Sequence, residues 1–408
     1  MRRILILLSL AAVSCSRLCP SDLNAPMGWA TCVDIGGGEY ALTGGAGGRK
    51  VTLRADGDRD MREDITEALE TCDIVVLDGS RGPFIFSHTA DFHDLKGKTL
   101  VGINGAVLRT KFQFDEESRD VVEHAEERYA SAQPDSSGVW ILSNGASAKR
   151  NYAAFAQRQA LIDYTGDRDE TFTHSGFFAF LDGCENIIIR NIFFDGPGTF
   201  RSLADFMVRC AEGSSHIWID HCTFEDAARV SVGVTHASDC ISLTWCRFTF
   251  TDQSDDHTLG NLIASSDTEW ESSDNLNVTF AHCAWQNVWS RVPMARFGTI
   301  HILNCWYDCP GTVGINPRQD SEFLVEGCWF EPGVKPLCRY RHEVWPGKAW
   351  VFRDNVYDEG ADVSDKGDSI AIPYPYTVTT AAQAREDVRE FAGPTLKRPL
   401  RIKGVSRP

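Results

Sequence analysis

Two arginines five positions apart, Arg291 and Arg296, bracket a proline in the segment RVPMARFG. A guanidinium offers a planar fork of N–H donors that matches a carboxylate. Taken from the residues alone, Arg291 binds a carboxylate, with surface ion pairs as the alternative for both Arg291 and Arg296. Other arrangements with chemistry are missing. No CxxC pair stands ready for zinc, and no turn carries the cluster of aspartates that a polysaccharide hydrolase needs. Asp220 and His221 lie at the end of a strand pattern and read as structural. His282 and His301 read as core histidines. The triplet Asn277-Val278-Thr279 falls inside a strand pattern, which discounts it as a glycosylation site.

Charge narrows the ligand. The chain has 408 residues and a formal net charge of −17. Nucleic acid binds through many Lys and Arg contacts to phosphate, so it is a poor partner for such a chain. An acidic polymer is also repelled at long range, and needs a local cationic cluster or a bridging cation.

The elements that hold these residues follow from a repeat. From Glu185 onward one pattern recurs: an alternating apolar strand, one or two polar residues, then Cys or Asn followed by aromatics. The copies include NIIIRNIFFDG, HIWIDHCTFED, ISLTWCRFTF, LNVTFAHCAWQN, IHILNCWYDC, FLVEGCWFEP and AWVFRDNVYDEG. Their marker residues are Asn191, Cys222, Cys246, Cys283, Cys305, Cys328 and Asn355, mostly at steps of 22 to 31 residues. One β-rich unit per step is the signature of a solenoid, in which each turn buries its inner face against its neighbours. The expected fold is all-β, a right-handed, single-stranded parallel β-helix of about seven or more turns. Cys222, Cys246, Cys283, Cys305 and Cys328 are expected as one interior stack of packing thiols. Stacked side chains run parallel, and a disulfide torsion is then hard to satisfy.

The remaining segments fit around the coil. DRDMREDITEALETC, ending at Cys72, and the stretch Thr379 to Phe391 both have amphipathic helical spacing, and solenoids require caps. Residues 115–173 interrupt the repeat with an acidic helical run and read as an insertion projecting from one face. Residues 1–15 read as an export signal: Arg2 and Arg3 precede an apolar run too short to span a bilayer. Cys15 sits in a loose lipoprotein box, so a secreted or cell-surface protein is expected, possible lipidation included. No later stretch is long enough to be a transmembrane span. The coil is assigned to 28–357 and a C-terminal extension to 358–408.

At this point the motifs resemble those of the pectate lyases, the polysaccharide lyases of family one. GWATCVDIGGGEYALTGGAGG is similar to their Gly-rich opening. DIVVLDGSRGPF, KGKTLVGINGAVL, NIIIRNIFF, HIWIDHCTF and SDCISLTWCRF follow in order, and NVTFAHCAWQNVWSRVPMARFGTIHILNCWYD is similar to their most diagnostic stretch. The resemblance implies a β-elimination on polygalacturonate or a related pectin, with such an acidic polysaccharide as partner and a monomer as the acting unit. It implies that Arg291 abstracts the C5 proton and that Arg296 and His257 contact substrate. It also implies a calcium site, with Asp205 in LADFMV as first ligand.

The family pattern breaks on the next turn. There EDAARVSVGVTHASD puts Arg229 and Gly233 where further acidic ligands are expected, with Glu225 and Asp226 as the nearest carboxylates. Arg229 resembles the arginine that replaces the cation in the related pectin lyases. Two readings follow. In one the protein is a lyase whose arginines neutralise the substrate carboxylate. In the other it is a non-catalytic binder of acidic polysaccharide with a decayed calcium site.

Overall fold

The computed structural model describes residues 22–34, 36–129, 134–148, 152–199, 205–254, 257–339, 346–367 and 369–405. The export segment 1–15 and Cys15 lie outside the described residues.

Each turn of the chain is a strand, a corner, a second strand, a looser bend and a third strand. The sharp corner is made by one residue in the left-handed region. Asn191, His221, Trp245, His282, Asn304 and Asp354 all take φ between 49° and 60° there. Such a conformation is costly for bulky residues. It is offset by stacking, since Trp245 lies 4.1 Å from His282 with the rings 3° from parallel.

Repetition of this unit lays strands in register. The described residues form parallel sheets of ten, eight and seven strands, each strand hydrogen-bonded to its counterpart on adjacent turns. The fold is a parallel β-helix, as the repeat requires. The core lies between the three sheets and is built of ladders. Cys222, Cys246, Cys283, Cys305 and Cys328 are fully buried and free. The Cys305 thiol accepts from the Cys283 N–H at 3.3 Å, and the Cys328 thiol from the Cys305 N–H at 3.4 Å. Beside them run Phe194, Phe224, Phe248, Trp285, Tyr307 and Phe330, with centroid spacings from 4.3 to 5.6 Å. These spacings are close to the strand repeat of about 4.8 Å. One marker needs correcting. Phe193 pairs with Thr223, so Asn191 is level with His221 at the corner, and Ile192 holds the ladder position. Asn355 does end the ladder: its Oδ1 accepts from the Cys328 N–H at 2.8 Å.

The helix Arg62–Thr71 inserts Ile65, Ala68 and Leu69 into the main core at the first turns. The helix Ala381–Phe391 lies on the side of the coil, with Val388 against Ala284 and Trp306. Segment 115–173 carries the helices Glu116–Glu123, Ala125–Arg128 and Tyr152–Thr165, which share a small core of Ala125, Tyr129, Ala156 and Ala160. The segment is docked on the coil, where Leu161 packs with Phe114, Phe172 and Ala228.

Candidate active site

The outer face of the seven-stranded sheet carries the candidate residues. Its strands include Phe206–Cys210, Val230–Val234, Leu259–Ile263, Met294–Ala295 and Asn316–Pro317, in that spatial order. Phe206 pairs with Val230 and Val230 with Leu259. Asp205 and Arg229, one residue earlier, are therefore neighbours on adjacent turns. The docked helical segment reaches this face through Ala228, next to Arg229 in sequence.

Arg291 opens its turn in a left-handed conformation, φ 62°. Its carbonyl accepts from the Asn261 N–H at 2.7 Å, which fixes it to the preceding strand. The residue is half-buried, and its Nη1 is out of solvent with no hydrogen-bond partner among the described residues. Burial, with the charges of Arg229, Arg296 and Arg318, lowers its pKa to about 9. Arginine otherwise stays protonated at any ordinary pH. Here desolvation and three like charges all disfavour the cation.

Two of those three neighbours are already paired. Arg296 donates from Nε to Asp267 at 2.7 Å and from Nη1 to the Ala264 carbonyl at 2.9 Å. Arg318 donates from Nη2 to the other oxygen of Asp267 at 2.6 Å. One half-buried carboxylate thus holds two guanidiniums in place. Arg229 is exposed and has no ion-pair partner among the described residues. It is the cation left to meet a ligand.

Asp267 and Arg318 escaped the sequence reading. Ala295 pairs with Pro317, which makes Arg296 and Arg318 equivalent residues on adjacent turns. They stand nine and ten residues before Cys305 and Cys328. Comparing the turns with one another gives that signal. Asp267 sits in the irregular loop after Ile263, where no repeat guides the eye.

His257 lies two residues before Leu259, whose bridge partner is Ser290. Its ring is 5.7 Å from that of Trp289, which is 43% exposed. The two rings mark one edge of the Arg291 face. On another edge Trp270 is exposed and packs edge-on against Phe297.

Among the described residues, those around Asp205 do not complete a calcium site. Calcium takes about six to eight oxygen ligands, several of them carboxylate. The Asp205 carboxylate already accepts from the Phe206 N–H at 2.9 Å and the Thr89 hydroxyl at 3.3 Å. On the adjacent turn stands Arg229. Gly233 offers no side chain, and a β-carbon there would lie 2.5 Å from the ring of Phe206. That ring carries the Arg209 guanidinium, 5.9 Å from its centroid. Arg209, level with Gly233, is a further basic residue the sequence reading passed over. Glu225 and Asp226 supply nothing here. Asp226 caps the following loop, accepting from the Thr251 N–H and hydroxyl and from the Ser254 hydroxyl. Glu225 belongs to the eight-stranded sheet beside Asp195. Asp205 is thus held by hydrogen bonds of its own and the neighbouring turn, with Arg229 beside it.

The histidines and the Asn277 triplet are structural. His221 and Asp220 are buried together, with Arg190 on the same carboxylate. His282 is stacked on Trp245 and His301 faces the Tyr374 hydroxyl at 2.7 Å. Asn277 is buried and donates to Asp239.

Comparison with known proteins extends the picture. The pectate lyase family model matches residues 166–396. Pectate lyase A of Aspergillus niger is 32% identical over 238 residues, covering 56% of this chain and 68% of that one. A probable pectate lyase A of Neosartorya fischeri is 29% identical over 239 residues, covering 56% and 69%. Among solved structures, a pectate lyase of Bacillus sp. N165 in complex with trigalacturonate superposes with a TM-score of 0.58 at 17% identity, covering 90% of this chain and 98% of that one. The cedar pollen allergen jun a 1 gives 0.56 at 14% identity, covering 90% and 92%.

Proposed function

The chain belongs to the pectate lyase family, a family of polysaccharide lyases, and from that premise we propose that it cleaves a galacturonate polymer by β-elimination with Arg291 as the base. The observation that carries this reading is the setting of Arg291: half-buried, with a buried Nη1 that is unpartnered among the described residues and a pKa lowered to about 9. A guanidinium kept only to bind carboxylate gains nothing from being made less basic. A general base does.

The chemistry runs as follows. Arg291 in its neutral form takes the proton from C5 of the sugar. The electron pair forms the C4–C5 double bond, the C4–O bond breaks, the departing oxygen takes a proton from solvent water, and Arg291 returns its proton to solvent before the next turnover. Negative charge builds on the C5 carboxylate before the bond breaks. Preorganised cations aimed at that charge lower the barrier. Arg229 serves this role in our reading. Arg296 and Arg318, held by Asp267, favour the neutral form of Arg291 and add to the positive field. No step passes through calcium in our reading, because the described residues around Asp205 do not complete a site for it.

His257 and Trp289 border the same face and would contact the sugar chain. Export is part of the proposal and rests on the sequence of residues 1–15. Loss of acidic residues at Arg229 and Gly233 favours the second reading, a non-catalytic binder. One experiment separates them. Purified protein incubated with polygalacturonate, and in parallel with methylated pectin, should release unsaturated product with its ultraviolet absorbance. Arg291→Lys should reduce that rate by orders of magnitude while leaving the melting temperature near that of the parent. Absence of product from the parent on both substrates would favour the binder.

A further inference from the structure

A second cationic surface lies on a different face of the coil. The chain's end, LKRPLRIKG at 396–404, holds four basic residues and no acidic one in a protein of net charge −17. It runs over the ten-stranded sheet, away from the seven-stranded sheet that carries Arg291.

The segment is fastened at several points. Arg190, fully buried, donates from Nη1 to the carbonyls of Pro399 and Arg401 at 2.8 and 3.1 Å, and from Nη2 to Leu23 at 2.9 Å. The Leu396 N–H reaches Asn191 Oδ1 at 2.9 Å, and the Lys403 N–H the Asn24 carbonyl at 2.7 Å. Leu400 packs against Ile74, Val76 and Val101. Lys397, Arg398, Arg401 and Lys403 remain exposed. Their backbone is fixed, so the charges are set in place before any ligand arrives.

These four side chains line a cavity of about 1050 Å³, with Ile74, Leu400 and Ile402 among its apolar residues and no Asp or Glu in its wall. A second cavity of about 630 Å³ shares Thr43, Lys403 and Val405 with it, reaches Tyr374 and has one acid, Glu39, in its wall, so the cationic part of the trough is the first cavity. The first touches the strand Ile74–Asp78. The hydroxyl of Tyr374 meets Thr279 in the strand Val278–Ala281. Five strand steps separate these two, so the trough runs roughly 24 Å along the coil.

We propose that this trough is a second binding site for a polyuronate chain, separate from the Arg291 face. The inference rests on the substrate class proposed above. A uronate polymer carries a carboxylate on each sugar and apolar C–H faces between them. A cationic rim over an aliphatic floor complements both. An acidic protein is otherwise repelled by such a polymer, and a second contact raises the effective concentration of chain at the first. Nucleic acid is a poorer occupant, because the rest of the surface opposes an extended polyanion.

The test uses the full chain and the triple variant Lys397→Ser, Arg398→Ser, Arg401→Ser. Retardation in a polygalacturonate-containing gel measures polymer binding, in an Arg291→Lys background that does not degrade the gel. Turnover of trigalacturonate by chains with Arg291 intact measures the active face alone. The triple variant should bind polymer about tenfold more weakly. It should turn over trigalacturonate within about twofold of the parent. Fully methyl-esterified pectin should not retard either protein. Equal retardation of parent and triple variant would overturn the proposal, as would equal retardation of the parent by esterified pectin. A parent that binds polygalacturonate through these residues but turns over no oligomer would keep the second site and reject the lyase reading.

Discussion

The ring of Phe206 fills the space over Gly233, 2.5 Å from where a β-carbon would stand. The contact explains why this turn has no side chain where the family resemblance implies an acid. Phe206 begins one strand and Gly233 lies on the next, and the ring folds outward between them. Restoring a carboxylate with Gly233→Asp would force the ring aside. The variant should lose about 1–3 kcal/mol of stability by chemical denaturation. Phe206→Ala should recover part of that loss when combined with it. A fully stable Gly233→Asp would show that the ring moves freely.

The cation should be dispensable. With Arg229 and Phe206 where ligands would stand, turnover of polygalacturonate should persist in excess chelator, and calorimetry should detect no tight calcium binding to the free protein. Arg229→Ala should lower kcat/KM by roughly tenfold to a hundredfold, the loss of one charge-assisted contact worth about 1.5–3 kcal/mol. Activity abolished by chelator and restored only by calcium would reject this account.

The fold was legible because a β-helix repeats its packing. Each turn must place a small residue and an aromatic at the same inward positions, so Cys222 through Cys328 announce the architecture. Asn191 misled by one position, since both corner and ladder positions accept a small polar residue. Arg291 and Arg296 were legible from their spacing. The rest of the site was not, because it depends on pairing between turns. Arg318 matters only through its level with Arg296, and Asp267 only through an irregular loop. The conflict of Phe206 with Gly233 involves residues 27 apart and the outward turn of one ring.

The thiols should be silent. All twelve described cysteines are free and buried. Burial raises the pKa of Cys222, Cys246, Cys283 and Cys305 well above the ordinary value. Only the thiolate reacts, so a thiol reagent should modify these four at a negligible rate in the native protein and fully in denaturant. Mass spectrometry of the labelled peptides reads the result. Labelling of Cys283 or Cys305 under native conditions would mean that the coil opens locally.

The pH profile offers the most direct check on Arg291. Its pKa is lowered to about 9, by burial first and then by Arg229, Arg296 and Arg318. A general base works when deprotonated. Below that pH the neutral fraction rises about tenfold per unit, and kcat/KM should rise with it until the limb flattens near the pKa. After burial, the charge of Arg229 contributes most to that lowering. Arg229→Ala removes a repulsion that disfavours the protonated form, so the pKa of Arg291 rises and the limb moves to higher pH. Arg229→Lys keeps the charge and should leave the limb close to that of the parent, though it reproduces the carboxylate contact poorly. A residue that merely bound substrate would change KM in both variants without moving the limb in only one. If Arg229→Ala lowers activity by the same factor at every pH, Arg229 does not tune the base. The limb would then have to be assigned to another group.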